Sequence, residues 1–126
     1  MFLKKLDEIK ALGGGDDAED VEGGLNAGYN MSWRSNARYA ILIADTPGHG
    51  KKYHDKEVED DYPKGDFNGL VLEDLMKKYI AKNINLCLTT ITDYTDIMFK
   101  IMKDSYEKES LKSKDKPKIQ EIPYDD

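Results

Sequence analysis

The stretch ARYAILIADTPGHG, residues 37–50, decides how the chain is read. Its first half, RYAILIAD, is continuously apolar up to Asp45 and too short for an amphipathic surface helix. It fits a β-strand buried on both faces, the kind that parallel sheets use. The second half holds Pro47, Gly48 and Gly50, turn-formers that end a strand abruptly. A long polar loop, TPGHGKKYHDKEVEDDYPKGDFNG, continues from there.

Working outward, LVLEDLMKKYIAKN places Leu70, Leu72, Leu75, Met76 and Tyr79 on one helical stripe, with Asn83 as its terminator. INLCLTTI reads as a second buried strand. Strand, helix and strand in this order predict a parallel unit with a right-handed crossover, the building block of open α/β sheets. TDIMFKIMKDSYEKE, capped by Thr95 or Asp96, carries Ile97, Met98, Ile101, Met102 and Tyr106 on one face and predicts the next covering helix. Toward the N-terminus, Phe2, Leu3, Leu6, Ile9 and Leu12 form an amphipathic stripe stopped by Gly13 to Gly15. Val21, Leu25, Tyr29 and Trp33 predict a helix from about Ala18 to Trp33, capped by Asp16 or Asp17, whose Gly23, Gly24 and Gly28 allow close packing on a sheet. Residues 108–126 are highly charged and read as a flexible tail, in which KIQEI alone alternates like an edge strand.

The 126 residues suffice for one domain or part of a larger one. Two confident strands against an ordinary sheet of about five or six predict a fold class of α/β with a partial doubly wound, mostly parallel sheet. Its first strands are expected to lie outside the sequence. A net charge of -6 argues against a nucleic-acid partner. A lone Cys87 inside an apolar stretch suits a buried thiol in a reducing compartment. No apolar run reaches the roughly 18 residues of a membrane span, so the expected setting is cytoplasmic.

Few residues announce chemistry. The turn DTPGH resembles that of translational GTPases, but no Gly-rich loop ending in Gly-Lys-Ser/Thr precedes Asp45, and no Asn-Lys-x-Asp follows. A GTP-binding protein is therefore the remote alternative. His49 and His54 fall short of the four ligands of a structural zinc site and read as solvated loop residues, as do the carboxylates of EVEDDY. Without a nucleophile elbow or a kinase signature, a noncatalytic role is expected.

Taken in order, GGGDDAEDVEGGL, IADTPGHG, DDYPKGDFNGL, NINLCLTTI and TDIMFKIM resemble the second half of a von Willebrand factor type A domain. The similarity is greatest to the intracellular version attached to alpha-type (atypical) protein kinases, and it covers roughly residues 1–107, leaving 108–126 as the tail. The resemblance implies a magnesium site at the carboxyl ends of the strands. Asp45 matches its third element, and Glu19, or with less support Asp16 or Asp20, replaces the threonine of the middle one. The first element, Asp-x-Ser-x-Ser, is absent from the sequence, so the implied Mg2+ is held weakly or not at all. The implied role is to bind an unidentified protein partner, regulating or localising an alpha-kinase. The alternative is a fragment of an alpha-type protein serine/threonine kinase whose catalytic domain lies elsewhere.

Overall fold

A computed structural model describes residues 1–125. Helix α1 (Phe2–Glu8) and helix α2 (Val21–Tyr29) precede strand β1 (Tyr39–Ala44). Helix α3 (Leu72–Ala81), strand β2 (Asn85–Thr90), a 3-10 turn at Asp93–Thr95, helix α4 (Asp96–Ser110) and strand β3 (Ile119–Pro123) follow. The three strands form one parallel sheet in the order β1-β2-β3, with Tyr39 opposite Asn85 and Leu86 opposite Ile119. The fold is thus α/β, two successive βαβ units flanked by helices, consistent with part of a Rossmann-like sheet.

The core lies between the sheet and helices α2, α3 and α4. Leu72, Leu75, Met76 and Tyr79 face Met98, Met102 and Tyr106 across α3 and α4, all 1 % exposed or less. Leu86 and Leu88 of β2 close the layer from below, each burial contributing roughly 2 kcal/mol. The two buried tyrosines keep their hydroxyls satisfied. Tyr79 donates to Leu25 O at 2.7 Å and Tyr106 to Ile84 O at 2.8 Å. Helix α3 stops where expected: Asn83 takes the left-handed conformation, φ 53°, which asparagine tolerates better than most residues.

Several expectations are corrected. Strand β1 is covered on one face only. Ala40 and Leu42 meet the core, while Tyr39, Ile41 and Ile43 are 67 to 70 % exposed. Cys87, paired in register with Ile41, is only half-buried because that same sheet face has no helix over it. In α4 the buried face includes Phe99 and leaves Ile97 outside. Helix α1 ends at Glu8, before the glycines, and its apolar stripe is exposed throughout. Helix α2 is capped by Asp20, whose carboxylate accepts from Gly23 N at 2.8 Å, because Asp16 and Asp17 turn instead to the backbone N–H groups of Asp61 and Glu59. Gly28 serves approach to α3 rather than to the sheet: a Cβ there would lie 2.9 Å from Tyr79 Oη. Finally, residues 119–123, expected within a flexible tail, form the third strand. Lys118 and Tyr124 close its ladder with β2, through Leu86 N to Lys118 O and Tyr124 N to Thr90 O, both at 2.9 Å.

Candidate functional site

The loops at the carboxyl ends of β1 and β2 meet the N-terminus of α2, the position at which open parallel sheets place their ligands. Asp45 leaves β1 with an exposed side chain, and its carbonyl accepts a hydrogen bond from the Thr92 hydroxyl beyond β2. Glu19 is drawn alongside by its N–H, which bonds Pro47 O at 3.0 Å. Glu19, Asp20, Asp45 and Thr46 line one open cleft of ≈ 430 Å³. The Thr46 hydroxyl there is buried without a partner.

Of the residues expected to hold magnesium, Asp45 and Glu19 share this cleft, whereas Asp16 does not reach it. The Asp16 carboxylate accepts from Asp61 N at 2.7 Å and lies 3.9 Å from His49 Nδ1. Magnesium requires six close oxygens in octahedral array. Among the described residues neither Asp45 nor Glu19 belongs to a trio of donor groups close enough to share an ion. Because magnesium is usually bound through one or two carboxylates and waters, Asp45 and Glu19 supply part of a ligand set rather than a closed site.

The polar loop is held together by Asp60, which sequence reasoning placed in a solvated run. Its carboxylate, 2 % exposed, bonds His49 Nδ1, His54 Nε2, Gly50 N and Tyr62 N, each at 2.8 Å. The two histidines are therefore buried partners of one acid, not solvated residues. Desolvation opposes Asp60 ionisation, but the four donors outweigh it and hold its pKa down at about 2. For His49, burial favours the neutral ring, yet the bond to Asp60 and the charges of Asp60, Asp16 and Glu22 prevail and raise its pKa. Tyr53 ties the same loop to α3, donating to Glu73 Oε2 at 2.7 Å and accepting from Leu72 N at 3.3 Å.

Sequence reasoning also passed over Glu22, which is fully buried. One signal was available. Glu22 sits three residues before Leu25 and seven before Tyr29, on the flank of the α2 stripe, so a helix that buries Leu25 carries Glu22 inward with it.

No family model matches the chain, and no solved structure matches it. It is similar to a protein named Alpha-protein kinase vwkA from Dictyostelium discoideum, with 47 % identity over 85 residues. The aligned stretch is 67 % of this chain and 13 % of that protein. The chain is thus homologous to a small segment of a protein named as an alpha-kinase.

Proposed function

We propose that the chain is a noncatalytic protein-interaction module of the von Willebrand A type, acting in the regulation or localisation of an alpha-kinase. The observation that carries this reading is the 47 % identity to a stretch making up only 13 % of Alpha-protein kinase vwkA. The loops beyond β1 and β2 are the contact surface in this reading, with Asp45 and Glu19 its acidic centre. These two carboxylates hold magnesium only weakly, as part of a ligand set. The same coverage also favours a second reading, in which the chain is a fragment of an alpha-type kinase and phosphotransfer belongs to the longer parent.

The test is to tag the chain, express it in its own cells, and assay the captured material for alpha-kinase activity against a basic protein substrate. The isolated chain is expected to bind no ATP and transfer no phosphate, while the captured material phosphorylates the substrate and the Asp45→Ala variant captures less. Phosphotransfer or ATP binding by the isolated chain would overturn the noncatalytic reading. A transcript that runs from this sequence into a kinase domain would establish the second.

A further inference from the structure

We propose that Asp20, Glu22 and Asp66 form a divalent-cation site, selective for calcium over magnesium, between the first turn of α2 and the loop before α3. One carboxylate oxygen from each residue lies within 4.8 Å of the others, the spacing that oxygens around a single ion of this size adopt. The site shares Asp20 with the rim of the Asp45 cleft but uses neither Asp45 nor Glu19, and the inference does not rest on the proposed kinase association.

The decisive feature is Glu22. Its side chain is fully buried, and neither carboxylate oxygen has a hydrogen-bond partner. A buried carboxylate without partners is costly, and folded chains seldom keep one for nothing. Here it is directed toward two further acids that each retain accepting capacity. Asp20 uses Oδ1 on Gly23 N, and Asp66 uses Oδ2 on Asn68 N and Leu70 N, so Asp20 Oδ2 and Asp66 Oδ1 are free of these bonds. Those bonds orient the two side chains as supporting contacts orient metal ligands. Among the described residues no ion pair involves any of the three.

Backbone geometry makes room for the group. A Cβ on Gly48 would lie 2.6 Å from Glu22 Oε2, so with glycine at this position the loop after β1 crosses directly over the carboxylate. Asp20 is exposed and provides the path from solvent. Burial, with Asp66 adding to it, raises the pKa of Glu22 to about 7 against the lowering influence of nearby backbone N–H groups and the His49 ring. Calcium accepts six to eight oxygens in irregular array, including several carboxylates, whereas magnesium usually takes one or two with waters. Three converging acids on a loop and a helix cap therefore suit calcium.

The test uses the whole chain, stripped with a chelator, with calcium chloride or magnesium chloride as the only added ligand. Calorimetric titration is expected to give one saturable calcium site and a higher melting temperature, with magnesium at least about tenfold weaker. Glu22→Gln is expected to lower calcium affinity by about tenfold or more while leaving the calcium-free melting temperature no lower, because a buried charge has been removed. Asp66→Asn supplies the same reading if Glu22→Gln folds poorly by circular dichroism. No calcium heat and no thermal shift up to about 5 mM, beyond the weakest known calcium modules, would overturn the proposal. So would calcium binding retained by both variants, or a response lost in Asp45→Ala but kept in Glu22→Gln.

Discussion

Asp60 has both carboxylate oxygens committed, Oδ1 to His49 Nδ1 and Tyr62 N, Oδ2 to His54 Nε2 and Gly50 N. Replacing it by asparagine turns an amide N–H toward groups that themselves donate. Asp60→Asn is expected to destabilise the chain by about 3 kcal/mol in urea titrations at neutral pH. The pH dependence follows from the signs. The folded pKa of Asp60, about 2, is below its ordinary value of 3.8. Its contribution is complete above that ordinary value and is lost as pH falls through the folded one, a change of about 2 kcal/mol. His49 runs the other way: raised above 6.5, it contributes fully below that pH and loses its part as pH rises through the folded value. Melting temperatures measured against pH should therefore decline on both arms, with the acid arm flattened in Asp60→Asn. None of this was legible in EVEDDY, where a run of acids reads as solvated. The donors lie up to 11 residues away, and only the path of the loop brings them to one carboxylate.

At the scale of elements, β3 is the segment whose reading changed most. KIQEI sits among charges and prolines, and its propensity is too weak to predict order. Order comes from its neighbours. The strand pairs with β2 in parallel register, Ile119 packs against the core, and Glu121 accepts from the Thr90 hydroxyl at 2.6 Å and pairs with Lys103 of α4. A chain ended after Lys118 loses these bonds and opens the β2 edge. Its expected cost is about 3 kcal/mol or more, a large part of the stability of a small domain. The check is a thermal melt by circular dichroism, in which the shortened chain melts earlier and over a broader range. An unchanged melt would show β3 to be dispensable. Helices α3 and α4 were legible, because 3.6-residue periodicity is local and each buries a single stripe.

Over the whole molecule, apolar surface is distributed unevenly. Helices α2 to α4 cover one face of the sheet, while Tyr39, Ile41 and Ile43 on the other are 67 to 70 % exposed and Ile122 is 46 % exposed. Strand β1 is also a sheet edge, and an edge with an apolar face invites association. The purified chain is expected to self-associate as its concentration rises in sedimentation velocity. The double substitution Ile41→Lys with Ile43→Lys should suppress this while changing stability by less than about 1 kcal/mol, as exposed positions generally do. Equal association in the double variant would mean that another surface drives it.

The sequence by itself determined the αβ alternation from β1 to α4, the parallel sense of the first two strands and the stop at Asn83. Each of these rests on patterns within a few residues: apolar runs, helical stripes, and a side chain that tolerates positive φ. Only the tertiary structure decided that β1 is open on one face, that residues 119–123 join the sheet, and that Asp16 turns away from Asp45 toward Asp61. It alone also brought Glu22 beneath Gly48 and beside Asp66. Those outcomes depend on burial and on groups distant in sequence, because a carboxylate is solvated, paired or stranded according to what folds over it.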